Sequence, residues 1–422
     1  MRRAEQTRRE NPVHVKKRVD YRRRRDFIIE LGKALHKFGT PAFRLEAHLY
    51  NVTRSLGLDG YFMATPTLIT IVLWEPDRRN KRNYHIRVKP GDLDLGSLAV
   101  ADQLVDDVIS GECSMTEALQ KIEEIYIRSS SYSTLTTMLS FGVTSGAFAM
   151  LVGVSMADVI ISSVIGLVVF GILHLVERTD NYGEALEPLA AAVAALIASA
   201  FSHFVSGVNV PLVVLSGIIV FIPGLSITMA LKDLAARQLM SGTARLMDSL
   251  MCLCKLYFGS VLGSSLVGLL WAARPIADTA VIPGWSPLIA VPLLSLSLVA
   301  VFKNRLRDIP WAVLAAIVAY AGSLFGAAYL GDSIGPFVGA LAVGVYSNIF
   351  SRVTNSPSML VLLHGTVLLV PGSKAYIGLN QIADSGAFTN LPEVGGQAFM
   401  IFMSILAGLT FSNVIVPSRK TL

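Results

Sequence analysis

Ten apolar segments, each close to the roughly 20 residues that a helix needs to cross a bilayer, constrain the fold of this chain more than any other feature. They cover about 134–153, 157–176, 186–206, 210–231, 249–271, 285–302, 310–330, 334–351, 357–377 and 396–416. A shift of about 148 residues places the first five segments on the second five. Because five is an odd number, two consecutive copies must insert with opposite orientations. The pattern predicts a polytopic α-helical membrane protein with about ten transmembrane helices in two inverted five-helix repeats.

The charged residues lie mostly before the first apolar segment. Of the 422 residues, 53% are apolar and 16% are charged, whereas a soluble domain carries about 25% charged residues. Most Lys and Arg residues precede Arg128, so the chain divides into a polar N-terminal part and a nearly uncharged remainder. We therefore expect a disordered basic flank over 1–20, a small cytoplasmic α/β domain over 21–130, and membrane repeats over 131–272 and 282–417.

The distribution of basic residues among the loops tests the number of spans independently. With a cytoplasmic N-terminus, the loops and tail expected inside carry Arg178, Lys232, Arg237, Arg245, Lys303, Arg305, Arg307, Arg352, Arg419 and Lys420. The loops expected outside carry only Arg274 and Lys374. This bias favours ten spans with both termini in the cytoplasm. We therefore attribute the net charge of +6 to basic residues that flank the membrane and not to binding of nucleic acid.

The N-terminal domain shows alternating helical and strand patterns. Its apolar spacing predicts a sequence of elements of the type helix–helix–strand–strand–helix–helix, with strands over Tyr61–Trp74 and His85–Val88. We interpret His36, Glu46 and His48 as part of a solvated helix face, with a metal or hydrolytic centre as the alternative. The chain lacks a Gly-x-x-x-x-Gly-Lys-Ser/Thr loop, which argues against an ATP-driven pump.

Two Pro-Gly pairs interrupt equivalent apolar segments, LSGIIVFIPG at 215–224 and LHGTVLLVPG at 363–372. Such breaks in corresponding halves indicate the substrate site of a secondary transporter. Proline frees a carbonyl of the preceding turn, and irregular backbone survives in a membrane where it faces protein or water. The alternative is a packing kink. The candidate pathway residues are Ser216, Pro223, Gly224, Ser226, Asn348, His364, Thr366, Pro371 and Gly372.

Three ionisable residues are candidates for coupling transport to an ion: His364, Lys255 and Asp248. His364 lies about two turns before its proline, and intramembrane ionisable groups are functional candidates by default. A hydrogen-bonded core histidine is the alternative. Lys255 either pairs with Asp248 or, as we favour, extends to the cytoplasmic surface. No carboxylate lies at mid-span, and the cysteines show no metal or disulfide spacing.

Several stretches resemble one known family. They are GTPAFRLE at 39–46, LGL at 56–58, ATPT at 64–67, GECSMTEA at 111–118 and the two Pro-Gly segments. Together they resemble the threonine/serine exporter family, called ThrE, over nearly the whole chain. The resemblance implies ten spans, a cytoplasmic N-terminal domain and a bacterial inner-membrane location. It also implies efflux of L-threonine and L-serine driven by the proton motive force.

The expected function is therefore that of a secondary exporter of small amino acids, and not that of an enzyme. No cofactor or metal is expected; the partners are a small-molecule substrate, the lipid bilayer and, as an open option, further copies of the chain. In some bacteria, relatives of the two halves are separate proteins that together export succinate, so a dicarboxylate exporter is the first alternative. A membrane hydrolase acting through the N-terminal domain and a passive channel are weaker ones.

Overall fold

The structure is a computed structural model of the chain. It describes residues 12–76, 81–89, 91–127, 132–179, 183–271, 282–370, 372, 376, 378 and 391–420, with side chains left undescribed over 12–19 and 391–394. These residues belong to two compact units, one within 1–93 and 97–129 and the other within 94–96 and 130–420.

The first unit combines helices with a small antiparallel sheet. Its elements are α1 (Pro12–Lys37), α2 (Ala42–Ser55), β1 (Asp59–Ala64), β2 (Leu68–Trp74), β3 (Arg82–Arg87), α3 (Leu95–Ser110) and α4 (Met115–Ile127). Helix α1 begins at Pro12, earlier than the boundary expected at residue 21, and Lys and Arg favour helix. Gly39, with φ of +80°, separates α1 from α2 as the sequence predicts.

The sheet has three strands in the order β1-β2-β3, and not the two that the sequence predicts. The long predicted strand over Tyr61–Trp74 is wrong, because the chain reverses at Thr65. The Thr65 amide donates to the Leu68 carbonyl at 2.8 Å, and the Leu68 amide donates back to Thr65 Oγ1 at 3.1 Å. Pro66, which lacks an amide hydrogen, lies inside this turn and was the overlooked signal.

The second unit contains the apolar helices. They are α5 (Thr134–Val152), α6 (Met156–Glu177), α7 (Leu186–Phe204), α8 (Val210–Gly217), α9 (Gly224–Ala235), α10 (Leu239–Gly268), α11 (Ser286–Val301), α12 (Ile309–Leu330), α13 (Gly335–Thr354), α14 (Met359–Leu369) and α15 (Leu391–Ile415). Each of the ten predicted segments contains one or two of these helices.

Seven helices of the described part of the chain are long and apolar enough to cross a membrane, and an eighth span results if α8 and α9 form one bent span. Helices α11 and α14 are apolar but shorter, at 16 and 11 residues. The structure thus supports a polytopic helical membrane protein, while the number ten remains a prediction.

Small residues bring the helices of this unit close together. A β-carbon on Gly339 would stand 2.5 Å from the Ala319 carbonyl oxygen, so only glycine permits the contact between α12 and α13. Gly263 of α10 is equally tight against Ala192 of α7, and Gly408 of α15 contacts Ala340 of α13. Such contacts let helix backbones approach in lipid. Gly259 meets the Pro188 carbonyl as Gly408 meets the Phe337 carbonyl, and the 149 residues between the members of each equivalent pair are close to the shift seen in the sequence.

Candidate functional site

The first Pro-Gly pair breaks its span into α8 and α9. Helix α8 gives way to a single 3₁₀ turn over Ile219–Phe221, and Ile222 is extended, with φ −67° and ψ 118°. Pro223 enforces this conformation because its ring disfavours the helical region for the preceding residue. Helix α9 then begins at Gly224, and α8 makes an angle of 62° with the segment Ile219–Ala235, which holds the 3₁₀ turn and α9.

The second Pro-Gly pair breaks the chain at the equivalent position. Helix α14 ends at Leu369, and Val370 is extended with φ −71° and ψ 128°. Val370 and Ile222 lie 148 residues apart and share nearly the same backbone angles. Pro371 lies outside the described residues, whereas Gly372 is described and buried.

The two breaks meet. A β-carbon on Gly224 would stand 3.3 Å from the Gly372 Cα, and one on Gly372 would stand 3.0 Å from the Gly224 Cα. Side chains at either position would also collide with Val370 Cγ1, at 2.5 Å, or Ile222 Cγ2, at 2.9 Å. The breaks are therefore in backbone contact, and glycine is needed in both copies for them to touch.

Apolar side chains close around this contact. Ile227, Leu253 and Phe402 form a buried cluster, against which Ile222 and Val370 pack. Leu253 belongs to α10 and Phe402 to α15, so the fifth and tenth predicted spans cover the breaks. The structure represents a conformation in which the meeting point is packed.

The start of α9 supplies polar backbone groups beside this contact. The first-turn amides of a helix have no partner within the helix, and they form its positive end. One is used locally, because the Gly224 amide donates to the Ile222 carbonyl at 2.8 Å, whereas the Ile227 amide makes the first bond of the helix, to the Pro223 carbonyl at 2.9 Å. Ser226 lies between them and is half-buried. An anionic group could bind at this helix end once the apolar cluster opens.

Two predicted hydroxyl groups are satisfied within their own helices. The Ser216 hydroxyl donates to the Leu212 carbonyl at 2.7 Å, and the Thr366 hydroxyl donates to the Leu362 carbonyl, also at 2.7 Å. Both side chains are buried. In this conformation both hydroxyl groups are bonded to carbonyls of their own helices, and a ligand would have to replace these bonds.

His364 is fully buried in α14, at the position equivalent to Ser216. The Phe302 ring stands edge-on to the imidazole, with 5.5 Å between ring centroids. Within the described part of the chain, neither ring nitrogen makes a hydrogen bond of good geometry. The Leu360 carbonyl one turn earlier interacts with the ring, but it already accepts from Asn304 Nδ2 at 3.0 Å. The imidazole is thus a buried polar group with weak partners.

Asn348 is placed away from the breaks. Its amide donates to Asn413 Oδ1 at 2.9 Å and to the Val416 carbonyl at 2.7 Å. Phe402, which covers the breaks, precedes Asn413 by eleven residues of helix, a length of about 16 Å. Asn348 therefore ties α13 to the C-terminal end of α15.

Lys255 pairs with a residue that the sequence analysis did not consider. Its Nζ lies 3.6 Å from Glu187 Oε2 at the start of α7, and both side chains are partly exposed. Asp248 is exposed on α10. The observed partner of Lys255 is therefore Glu187 and not Asp248, the alternative to extension toward the surface, because α7 packs along α10 and brings Glu187 near.

Buried carboxylates at helix ends anchor both broken spans, and the sequence analysis missed them. Asp158 accepts from the Asn209 amide at 3.2 Å, which holds the start of α8 to the start of α6. In the other half, Arg305 links Asp308, at 2.7 Å, to Ser356, at 3.2 Å, just before α14. The capping pattern Ser155-x-x-Asp158 was the available signal for the first anchor.

Two histidines of the first unit, His36 and His48, are buried rather than solvated. His36 and His48 are 8% and 6% exposed, so their interpretation as a solvated face is wrong. His36 Nε2 lies 3.1 Å from the Thr65 carbonyl, and Glu46 accepts from the Ala64 amide at 2.7 Å. These contacts hold helices against the β1–β2 turn. Burial lowers the pKa of Arg44 to about 10.

The described residues contain no group of three or more His, Cys, Asp or Glu side chains placed to hold a metal ion. The apolar helices define the class of this chain as a polytopic helical membrane protein.

Family comparisons give a narrower assignment. A model described as "Putative threonine/serine exporter" matches residues 26–267, and one described as "Threonine/Serine exporter, ThrE" matches residues 287–415. The chain belongs to the threonine/serine exporter family, and the resemblance seen in the sequence is confirmed.

The curated relatives are fungal membrane proteins. The chain is 26% identical to pheromone-regulated membrane protein 10 of Candida albicans, over 96% of this chain and 38% of the relative. It is 25% identical to the protein of that name from Eremothecium gossypii, over 96% of this chain and 55% of the relative. The chain thus spans about half or less of these relatives. They lend no support to a bacterial inner membrane. No solved structure matches the chain.

Proposed function

We propose that this chain is a secondary-active exporter of L-threonine and L-serine, coupled to the proton motive force, with its substrate site where the two breaks meet. The contact between Gly224 and Gly372 carries the proposal. Two helices broken at equivalent positions and touching at the breaks form the arrangement in which transporters bind solutes at the repeat interface.

The chemistry of the breaks favours a small zwitterion as the substrate. The amino-terminal end of α9 is a partly positive site for a carboxylate. The carbonyl end of α14 is partly negative and would attract an ammonium group. A succinate-type dicarboxylate would use only the first of these ends. The observation therefore favours an amino acid over the dicarboxylate alternative.

The tight packing at the breaks favours a substrate with a short side chain. Ile222, Val370 and Phe402 surround the contact, so opening it by a small displacement leaves room for only a few heavy atoms. Threonine and serine fit this size, and their hydroxyl could replace the local bond that Ser216 or Thr366 makes to its own helix.

The topology and the coupling complete the proposal. Ten spans in two inverted repeats with both termini in the cytoplasm agree with the basic residues of the loops and with the equivalent angles of Ile222 and Val370. His364 is the proposed proton-sensitive group, because it is a buried imidazole six residues before the second break. The chain carries out no covalent chemistry in this proposal.

Efflux measurements test the substrate and the coupling together. Cells with and without the protein are preloaded with labelled threonine, serine or succinate, and loss is followed before and after the proton gradient is collapsed. We expect faster loss of threonine and serine that stops on collapse. Faster loss of succinate alone would assign the chain to the dicarboxylate alternative, and unchanged loss of all three would overturn the proposed function.

A further inference from the structure

One face of α10 contacts both broken segments. Cys252, Leu256 and Ser260 are spaced four residues apart and therefore lie on the same side of this helix. The Cys252 thiol donates to the Phe221 carbonyl, immediately before the first break, with an S···O distance of 3.5 Å. Ser260 is hydrogen-bonded to the hydroxyl of Tyr376, four residues after Gly372.

The direction of the second bond follows from the donors available. A serine hydroxyl carries one hydrogen. Ser260 Oγ lies 2.9 Å from the Leu256 carbonyl, and when Ser260 donates there, the Tyr376 hydroxyl donates to Ser260 Oγ. The bond is buried on both sides, since Tyr376 is 1% and Ser260 7% exposed.

Tyr376 inserts into the core of the opposite half of the membrane unit. The other buried members of its cluster all come from residues 161–256, and they include Val213 and Leu215 of α8 together with Leu256. Phe221, Ile222 and Cys252 pack against the same cluster. Residues that follow the second break therefore share a core with residues that precede the first one.

The second repeat has no equivalent of this contact at the corresponding positions. Gly259 packs against the Pro188 carbonyl as Gly408 packs against the Phe337 carbonyl, with 149 residues between the members of each equivalent pair, so the residue equivalent to Ser260 is Leu409, which has no hydroxyl. The residue equivalent to Tyr376 is Thr228, whose hydroxyl donates to the Gly224 carbonyl of its own helix at 3.1 Å. The two halves thus differ at a point where the repeat would otherwise make them alike.

We propose that the α10 face formed by Cys252, Leu256 and Ser260 is a clamp that holds both breaks in the observed conformation, and that the Tyr376–Ser260 bond is the latch that opens during transport. The link to transport rests on the proposed function, whereas the clamp itself does not. Among the described residues, the first repeat contributes Ser260 to this bond and the second repeat has no such bond at the corresponding positions. Release of the latch would therefore separate the two breaks on one side only. Alternating access requires an opening of this one-sided kind.

The alkylation rate of the native Cys252 can show whether the latch is open, and its measurement needs no substrate. Replacing Cys113 and Cys254 with Ser leaves Cys252 as the sole cysteine of the full-length chain. Its alkylation by N-ethylmaleimide in membrane vesicles requires the thiolate, and thus contact with water. Tyr376→Phe keeps the ring and removes only the hydroxyl. It should raise the alkylation rate about fivefold, which is the effect of one intramembrane hydrogen bond.

Two further variants make the result specific. Ser260→Ala should give the same increase, and the double variant should give no more than either single one, because both changes remove the same bond between Tyr376 and Ser260, whereas the Ser260–Leu256 bond lies within α10. Ser264→Ala is the matched control. Ser264 lies one turn further along α10 and bonds Ser199 of α7 at 3.3 Å, within the same half, so the alkylation rate should stay within about twofold of the parent.

The outcomes separate the latch from the proposed function. Wild-type alkylation in both Tyr376→Phe and Ser260→Ala, or an equal increase in Ser264→Ala, would overturn the clamp. If Tyr376→Phe lowers the amount of protein in the membrane, Ser260→Ala decides alone. Failure of the parent to export any of the three solutes, with alkylation as expected, would reject the proposed function and retain the clamp. Altered efflux in the latch variants but not in Ser264→Ala would support both.

Discussion

Gly224 and Gly372, 148 residues apart, are in backbone contact where two broken membrane helices meet. Each directly follows a proline. The residue before that proline, Ile222 or Val370, is extended, and the two have nearly the same backbone angles. This contact joins the two halves of the membrane unit at the positions where their helices are interrupted. Mutations at and around this contact test its role in transport.

Alanine at either glycine should separate the breaks. The new methyl group of Gly372→Ala would stand 3.0 Å from the Gly224 Cα, and that of Gly224→Ala would stand 2.5 Å from Val370 Cγ1. Overpacking of this kind costs about 1–3 kcal/mol. We expect efflux to fall at least about fivefold at equal membrane levels. Gly171→Ala, in α6 with no heavy atom within 4 Å, is the control and should transport normally.

Alanine at either proline should impair transport more than membrane insertion. Removing the ring of Pro223 lets Ile222 leave its extended conformation and return to helical angles, which would change the break before α9. Pro371→Ala should act in the same way at the second break, a prediction that rests on the repeat. Pro292→Ala, inside the unbroken helix α11, serves as the comparison. Wild-type efflux from both break variants would remove the breaks from the substrate site.

Replacing His364 with glutamine should flatten the dependence of efflux on pH. Glutamine keeps a polar side chain of similar reach in the buried site, but it cannot take up a proton. Efflux rates are compared across pH 5 to 8, the range in which histidine changes charge. His174→Gln, at the half-buried end of α6 and stacked on Phe170 at 5.9 Å, should keep the parental profile. An unchanged profile in His364→Gln would make the residue structural.

Lys255 and Glu187 should be energetically coupled, and Lys255 and Asp248 should not. Lys255→Met and Glu187→Gln are combined in a double-mutant cycle measured by thermal unfolding in detergent. A partly exposed ion pair at 3.6 Å should give a coupling of about 0.5–1 kcal/mol. Asp248→Asn changes an exposed residue and should shift stability by less than about 0.5 kcal/mol. Coupling of Lys255 to Asp248 instead would contradict the observed pairing.

The elements predicted correctly are those encoded by neighbouring residues. Apolar runs locate the helices, and Pro223 locates the first break, because both signals act over a few residues of chain. The prediction failed where a local signal was passed over, as at Pro66, whose turn divides one expected strand into two. It also failed for His36 and His48, because polarity alone does not show which side of a helix the rest of the fold covers.

Contacts between distant segments were beyond any local pattern. Nothing near Lys255 in the sequence indicates Glu187, and nothing near Tyr376 indicates Ser260; both pairs follow from how α7, α10 and the second break dock. The capping pattern of Ser155 and Asp158 marks a helix start but not the contact with Asn209, and no local pattern indicates that Asp308 and Arg305 hold the start of α14.

The sequence by itself determined that this chain is a polytopic membrane protein of the threonine/serine exporter family, with two Pro-Gly pairs at equivalent positions. Hydropathy and the missing amide of proline suffice for this, because they act on single segments. Only the tertiary structure decided that the two glycines touch and that α10 clamps both breaks. Those contacts join helices that are far apart in the chain. Such helices bury apolar surface against each other and form mutual hydrogen bonds only after they have packed together.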